Sequence, residues 1–211
     1  MIMGYSIAGT STKRERIEND YYATPPEATQ ELLNNFDLSY CETFLEPSCG
    51  EGHISKVLES NFTNSEVFSN DLIDRGYGYA PRDFLTYNHT DKFDCVITNP
   101  PFKLAKEFIE KGLKISNKYV IMFAKIQLLE GLGRKELFEN NPPKYIYVFR
   151  NRINPLRNGC PVDEKGKLWA STMCFAWFVW EVGFNGEPII RWLETKRGVS
   201  KLKLSKAQSP N

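Results

Sequence analysis

The stretch that most constrains this chain is the short apolar run Phe93–Thr98, followed directly by Asn99-Pro100-Pro101-Phe102. The run contains β-branched residues and ends at two prolines, which is typical of a buried parallel strand. In open α/β sheets, ligands bind outside the carboxyl ends of the strands. The Asn99 side chain and the Pro100 carbonyl would supply two acceptors there, which suits a flat heterocycle bearing an amino group. A strand that simply ends in a proline-rich turn is the alternative interpretation.

A second motif, Phe44 to Gly52, joins a predicted strand to a glycine loop. Gly50 and Gly52 have no Cβ, so the backbone can turn sharply there and approach a ligand closely. The loop lacks the third glycine of a dinucleotide fingerprint and the Lys-Ser/Thr of a P-loop. Glu46, at the predicted strand tip, is suited to attract an amino group. Residues 53–60 are predicted to form the next helix.

Two carboxylates follow at strand ends. The run Glu66–Asp71 ends about twenty residues after the glycine loop, where doubly wound proteins bind ribose hydroxyls. Asp83 precedes the aromatic Phe84 shortly before the next predicted strand. Taken alone, Asp71 is better explained as a solvated strand end, but four such elements in this order favour a common ligand site.

Together these motifs resemble those of S-adenosylmethionine-dependent amino-methyltransferases, and most closely the DNA adenine-N6 enzymes of phages and prophages. The resemblance spans about residues 19–150. It implies that S-adenosylmethionine is the cofactor and that DNA is the partner. It also implies a catalytic tetrapeptide made of Asn99, Pro100, Pro101 and Phe102, whose phenylalanine stacks on the target base.

The same resemblance implies a set of cofactor contacts. Asp71 would bind the ribose, Asp83 and Phe84 the adenine ring, and the segment from Asn19 to Pro25 would cover the methionine end. The full predicted set is Tyr22, Thr24, Pro25, Glu46, Pro47, Ser48, Gly50, Gly52, Asp71, Leu72, Asp83, Phe84 and Asn99.

The expected fold is α/β: a Rossmann-like class I methyltransferase with a mostly parallel seven-stranded sheet that ends in an antiparallel hairpin. Asn185-Gly186 lies between two late apolar runs and is a strong hairpin signal. Helices are predicted over residues 26–36 and 103–115. A strand is predicted over residues 119–124, and a further helix follows it and extends to about residue 138. Further strands are predicted over residues 145–149, 172–182 and 188–193.

One domain is expected over residues 19–195, with a loose arm over 1–18 and a basic tail over 196–211. A possible substrate-recognition insert covers residues 151–171. Many members of the resembled family carry a sizeable recognition domain for which this chain has no room. Sequence specificity is therefore expected to be short, relaxed, or dependent on a homodimer or an accessory protein.

Charge gives a weaker indication of the partner. The net charge is only +1, so the overall field does not indicate nucleic acid. Two local stretches are nevertheless basic: six basic residues stand against one acid between Arg191 and Lys206, and a second basic stretch runs from Arg150 to Lys167. They are either a solvated surface or phosphate contacts. The predicted DNA contacts are Arg150, Arg152, Arg157, Lys165 and Lys167.

The cysteines and histidines predict no metal site. The five cysteines form no CxxC pair, and neither His53 nor His89 has ligand-like spacing to them. An odd cysteine count without a signal peptide indicates a reducing, cytoplasmic location. Cys160 precedes Pro161, the reverse of the Pro-Cys order in cytosine-C5 methyltransferases. No apolar run reaches eighteen residues, so no membrane-spanning helix is expected.

The tetrapeptide leaves alternatives open. Methyltransferases of RNA (guanine N2 or adenine N6) and of protein glutamine use the same planar amine chemistry. The segment at Tyr21 to Pro25, placed ahead of the glycine loop, favours DNA. A non-catalytic nucleic-acid-binding protein on a methyltransferase fold is a further alternative, and a small-molecule methyltransferase is disfavoured.

Overall fold

The computed structural model describes residues 21–90, 92–157, 159–162, 166 and 173–195. The predicted arm (1–18), the predicted tail (196–211), Lys165 and Lys167 lie outside the described residues, as does Asn19. The predicted insert over residues 151–171 is described only in part.

Strands and helices alternate along the first half of the chain. This follows from the sequence, because apolar runs typical of strands alternate with segments in which apolar residues recur at helical spacing. The α-helices of the described part are α1 (Pro26–Asn35), α2 (Ser55–Asn61), α3 (Ala105–Ile115) and α4 (Lys135–Asn140). The strands are β1 (Tyr22–Ala23), β2 (Thr43–Glu46), β3 (Glu66–Ser69), β4 (Phe93–Thr98), β5 (Ser116–Lys125), β6 (Tyr145–Phe149), β7 (Leu156–Arg157), β8 (Phe175–Glu181) and β9 (Ile189–Leu193).

Seven strands form one sheet in the order β3-β2-β4-β5-β8-β6-β9, and β1 pairs with β7 in a separate two-stranded ribbon. Strand β8 runs antiparallel to both its neighbours, β5 and β6, while the other pairs of the large sheet are parallel. The expectation of a mostly parallel seven-stranded sheet is therefore confirmed.

The predicted hairpin between the last two strands is wrong. β8 and β9 follow one another in the chain, but β6 lies between them and pairs with both. The turn that directly follows β8 is at Val182-Gly183 and not at the predicted Asn185-Gly186. The antiparallel partners of β8 are thus two strands from earlier in the chain. A local turn signal fixes the reversal of the chain but not which strand occupies the adjacent position in the sheet.

The predicted helix after β5 is also wrong over most of its length. Two 3-10 turns, Ile126–Leu129 and Leu132–Arg134, come first, and α4 begins only at Lys135. Gly131 separates the two turns with a φ of +100°, a backbone conformation that an α-helix does not allow. The Arg134 guanidinium donates to the carbonyls of Gln127, Leu128 and Glu130, which stabilises this irregular segment.

Alternating side chains of the central strands build a core on each face of the sheet. On β5, Ile121 and Phe123 face α1 and α2, while Val120 and Met122 face α3. The apolar run of β8 is buried on both faces, and its two tryptophans satisfy their N–H groups by donating to main-chain carbonyls. This two-sided packing leaves the carboxyl edge of the parallel strands for a site.

Among the described residues, no helix has the length and apolar character needed to cross a membrane.

Candidate active site

A cleft that is partly open to solvent lies at the carboxyl ends of β2, β3 and β4. This is the position at which open α/β sheets bind ligands. The structure brings most of the predicted cofactor set into its wall: Tyr22, Thr24, Glu46, Pro47, Ser48, Asp71, Leu72, Asp83, Phe84 and Asn99. The remaining members of that set, Pro25, Gly50 and Gly52, do not line it.

Glu46 ends β2 and is almost completely buried, with an exposed fraction of 2%. Its Oε2 atom accepts hydrogen bonds from the backbone N–H (2.8 Å) and the hydroxyl of Ser55. Burial raises the pKa of the Glu46 carboxyl to about 8, against the opposing effect of these bonds, and the charge of Asp71 adds to the rise. Burial therefore favours the protonated, neutral form of this carboxyl.

Asp71 is bonded to the glycine loop. Its Oδ2 atom accepts the Gly50 N–H at 2.7 Å, and its Oδ1 atom accepts the Ile73 N–H at 2.9 Å. Each carboxylate oxygen has two lone pairs, so both can still accept a hydroxyl group of a ligand. Asp71 thus fixes the loop and keeps acceptor capacity at the cleft.

The two glycines of the loop make room for tyrosines. Gly50 has a φ of +56°, and a Cβ built there would lie 2.5 Å from Cε2 of Tyr21. Gly52 has a φ of +80°, and its Cβ would lie 2.5 Å from Cε1 of Tyr77. The close approach expected at these glycines is therefore to the protein's own aromatic rings.

The side chain of Asn99 is held by strand β1. Its Nδ2 atom donates a 2.7 Å hydrogen bond to the carbonyl oxygen of Tyr22, and its main-chain carbonyl accepts the Ser48 hydroxyl at 3.0 Å. Because Nδ2 can only donate and a carbonyl can only accept, this contact fixes the orientation of the amide. The acceptor, Oδ1, is the opposite branch of an amide that lines the cleft.

Of the predicted tetrapeptide, Asn99 and Pro101 line the cleft, whereas Pro100 and Phe102 do not. The Phe102 ring lies near two aromatic rings, with centroid distances of 5.6 Å to Tyr22 and 6.3 Å to Phe175. The Nζ atom of Lys125 lies 3.6 Å from its centroid. Phe102 therefore occupies the margin of the site rather than its wall.

The ribbon of β1 and β7 joins the N-terminal strand to the segment after β6. Tyr22 is the register partner of Arg157 in this antiparallel pair. Arg150 and Arg152 are exposed, and the guanidinium of Arg150 lies over the Trp192 ring at 5.8 Å. Of the described basic residues predicted to contact DNA, Arg157 is thus in the strand pair that orients Asn99.

The residues present fit S-adenosylmethionine. The Thr24 hydroxyl is buried at the cleft wall and has no hydrogen-bond partner among the described residues, so a polar ligand atom would satisfy it. Asp71 offers acceptors for hydroxyls, and Phe84 offers a buried aromatic ring in the same wall. Among the described residues, no cluster of histidines, cysteines and carboxylates could hold a metal ion.

Sequence reasoning missed several residues of the wall. His53, Ile73, Arg75, Arg82 and Leu104 line the cleft. They lie in the turn before α2, in the long connection after β3, and in the 3-10 turn after β4, where no periodic pattern marks a side chain as facing a site. Arg75 and Arg82 both lie between Asp71 and Asp83 in the sequence, and this pair of arginines was the signal that could have indicated these wall residues.

Curated relatives match only part of this chain. A malonyl-[acyl-carrier protein] O-methyltransferase of Calditerrivibrio nitroreducens is 32% identical over 69 residues, which are 30% of this chain and 28% of that protein. The Type II methyltransferase M.CvrRI of a Paramecium bursaria Chlorella virus is 27% identical over 103 residues, 43% of this chain and 26% of that protein. No protein-family model matches the chain.

Solved structures share the fold over most of the chain. The methyltransferase subunit of a type I restriction-modification system from Streptococcus thermophilus superposes with a TM-score of 0.57 and 13% identity, over 82% of this chain and 47% of that one. A Pyrococcus horikoshii protein assigned as an RNA methyltransferase gives 0.55 and 17%, over 81% and 94%. The chain has the Rossmann-like fold of the class I, S-adenosylmethionine-dependent methyltransferases.

Proposed function

We propose that this protein transfers a methyl group from S-adenosylmethionine to the exocyclic N6 amine of adenine in DNA. The observation that carries the proposal is the fixed amide of Asn99, whose Nδ2 atom is engaged by the Tyr22 carbonyl at 2.7 Å. In this proposal the Oδ1 atom of Asn99, which lines the cleft, would accept one hydrogen of the amino group, and the carbonyl of Pro100, which lies outside the cleft wall, would accept the other.

Two hydrogen-bond acceptors would increase the low nucleophilicity of this amine. The N6 lone pair is delocalised into the purine ring, so the free amine is a weak nucleophile. Hydrogen bonds from its two N–H groups to Asn99 and Pro100 favour a pyramidal nitrogen with a localised lone pair. No strong base is required, because the nitrogen loses a proton readily once it carries the methyl group.

The wall of the cleft would hold the cofactor. Asp71 would accept the ribose hydroxyls, Asp83 and Phe84 would contact the adenine ring, and Thr24 would bond the methionine end. When bound, S-adenosylmethionine would supply an electrophilic methyl group on a sulfonium, with a neutral thioether as the leaving group. Holding both reactants near attack distance contributes up to about 7–11 kcal/mol in well-oriented model reactions.

DNA is the substrate that several observations support. One similar curated protein is a Type II methyltransferase, and one similar structure is the methyltransferase subunit of a type I restriction-modification system, which favours DNA in this proposal. Exposed Arg150 and Arg152 lie on the segment that leads into the ribbon holding Asn99. A stacked base cannot reach such a cleft, so the target would be flipped out at a cost of a few kcal/mol or taken from a single strand.

The test is methyl transfer from radiolabelled S-adenosylmethionine to four substrates in parallel: unmethylated duplex DNA, single-stranded DNA, ribosomal RNA and a protein extract. Nucleoside and amino-acid analysis then identifies the labelled atom. Label in DNA as N6-methyladenine supports the proposal. Label confined to RNA or to protein glutamine assigns the same cleft to one of those substrates and contradicts it.

A further inference from the structure

Arg75 lies in the connection after β3 and lines the cleft. Its guanidinium carbon is 4.0 Å from the centroid of the Tyr21 ring, which lines the same cleft. The Nε atom of Arg75 is buried and has no hydrogen-bond acceptor among the described residues. A buried N–H group without an acceptor is costly, so a ligand that supplies an acceptor in the cleft is favoured.

Three side chains of the cleft wall have a buried polar atom without a partner among the described residues. The atoms are Oγ1 of Thr24, Nδ1 of His53 and Nε of Arg75. Arg75 alone of the three carries a charge at all ordinary pH values, since a guanidinium keeps its proton in proteins and burial lowers the pKa of His53. The second arginine of the wall, Arg82, differs because its Nη1 atom donates to Oδ1 of Asn70 at 3.4 Å. The wall therefore suits a polar ligand group, and Arg75 favours an anionic one.

The carboxyl groups of the same wall do not neutralise Arg75. Glu46, Asp71 and Asp83 each accept a hydrogen bond from a backbone N–H group of the protein. Among the described residues, no carboxylate lies within ion-pair distance of the Arg75 guanidinium. The positive charge at the cleft is thus left for an anion that the ligand brings.

The cofactor has a single group of this kind. The methionine part of S-adenosylmethionine ends in a carboxylate, whereas its ammonium and sulfonium are cations and its adenine and ribose are neutral. A guanidinium binds a carboxylate through two parallel N–H donors, and it can stack its flat face on an aromatic ring while it donates from its edge. Tyr21 provides such a ring. The phosphates of a nucleic acid fit less well, because only the flipped base enters the cleft while the backbone stays outside.

We propose that Arg75 binds the carboxylate of the methionine part of the cofactor, and that the Tyr21 ring holds the guanidinium in position for this contact. The inference rests on the cofactor of the proposed function, and it applies equally to a DNA, RNA or protein substrate. Arg75 is then the residue that distinguishes S-adenosylmethionine from analogues without the carboxylate.

The test compares S-adenosylmethionine with its decarboxylated form, which lacks only the carboxylate. Both are titrated calorimetrically into wild type and Arg75→Met, without a methyl acceptor. Wild type is expected to bind S-adenosylmethionine about 10–150-fold more tightly than the decarboxylated form, since hydrogen bonds to charged groups are the strong ones. Arg75→Met is expected to lose most of this preference while it binds the decarboxylated form as wild type does. Arg75→Lys keeps the charge without the two-pronged geometry and is expected to retain part of the preference.

Lys56 provides the matched control. Its Nζ atom lies 4.9 Å from the centroid of the Tyr77 ring and donates to the Glu51 carbonyl at 2.7 Å, but Lys56 does not line the cleft. Lys56→Met therefore removes a positive charge that also lies over a tyrosine, and it is expected to leave the preference unchanged.

Three results would overturn the role of Arg75. The first is an unchanged preference in Arg75→Met, including the case in which this variant instead binds oligonucleotides more weakly because the guanidinium contacts a phosphate. The second is an equal loss of affinity for both compounds in Arg75→Met, which indicates a structural role. The third is an equal loss of the preference in Lys56→Met.

This inference and the proposed function fail in different ways. Wild type that methylates adenine in DNA but binds both compounds equally overturns the role of Arg75 alone. A preference that depends on Arg75, together with transfer to RNA or protein instead of DNA, supports the carboxylate contact and contradicts the DNA assignment. Wild type that binds neither compound contradicts both.

Discussion

The side chain of Asn99 donates a hydrogen bond from Nδ2 to the carbonyl oxygen of Tyr22, at 2.7 Å, across 77 positions of the chain. A main-chain acceptor from the N-terminal strand thus fixes the amide at the end of β4. Tyr22 is in turn paired with Arg157 of β7. The orientation of the proposed catalytic amide therefore depends on a ribbon that belongs to neither β4 nor its neighbours in the sheet.

The Thr24 hydroxyl gives a prediction about the cofactor. Thr24→Val removes a buried hydroxyl that has no partner among the described residues, so the free energy of unfolding is expected to stay the same or rise slightly. The affinity for S-adenosylmethionine is expected to fall about fivefold if this hydroxyl bonds the ligand, since a net hydrogen bond is worth about 1 kcal/mol. Calorimetric titration and urea unfolding measure the two quantities.

Thr29→Val is the control for that substitution. The Thr29 hydroxyl is equally buried and without a partner among the described residues, but it does not line the cleft. Its replacement is expected to affect stability in the same direction and to leave cofactor affinity unchanged. Equal affinities of the two variants for S-adenosylmethionine would show that the Thr24 hydroxyl does not bind the cofactor.

Gly50 gives a prediction that separates backbone strain from crowding. Gly50→Ala places a Cβ at a φ of +56° and 2.5 Å from the Tyr21 ring. Gly76→Ala has a similar φ of +77°, but nothing lies within 4 Å of its Cβ. The left-handed conformation costs about 1–2 kcal/mol in both.

Only Gly50→Ala is expected to displace Tyr21, which packs at the cleft, and hence to lose cofactor affinity as well as stability. Urea unfolding and cofactor titration of the two variants make the comparison. If both variants lost the same free energy of unfolding and kept their cofactor affinity, the position of the Tyr21 ring would not depend on the absence of a Cβ at Gly50.

Glu46 gives a prediction about pH. Its pKa is about 8 in the folded protein, against an ordinary value of 4.5, so between these values the folded state holds a proton that the unfolded state releases. The contribution of this carboxyl to stability is therefore fully present below pH 4.5 and is lost as the pH rises through about 8. Glu46→Gln cannot titrate and lacks this loss.

The measurement is the difference in the free energy of unfolding between wild type and Glu46→Gln, followed from pH 5 to 8.5. Burial lowers the pKa values of His53 and His89, which gives stability the opposite pH trend, but both proteins share these residues and their effect cancels. Wild type is expected to lose stability relative to the variant with rising pH. Parallel curves would mean that Glu46 is ionised in the folded protein.

The sequence predicted the positions that depend on strand ends. Glu46, Asp71 and Asn99 all line one cleft, because the carboxyl ends of parallel strands meet at one edge. The hydrogen bonds that these residues make within the protein could not be predicted in the same way. The hydrogen bonds that Glu46 accepts from the Ser55 N–H and that Asp71 accepts from the Gly50 N–H depend on how the loop folds back, which no spacing rule specifies.

What could not be predicted depends on contacts between distant segments. Strand β6 lies between β8 and β9, although β8 and β9 follow one another in the chain and a turn at Val182-Gly183 comes directly after β8. The order of strands follows from which faces the whole sheet must bury, not from the turn. Lys125 likewise gave no signal, since its approach to Phe102 arises only when β4 and β5 are aligned.

The most direct test of the central claim is nucleoside analysis of unmethylated DNA after incubation with S-adenosylmethionine and either wild type or Asn99→Ala. Wild type is expected to produce N6-methyladenine, and Asn99→Ala to produce it on the order of 10²–10³ times more slowly, by analogy with the loss of one oxyanion-hole donor. Cofactor affinity is expected to stay within a few-fold, which shows that the variant is folded. Equal losses of cofactor binding and transfer, or methyl-DNA formed equally by both proteins, would contradict the account.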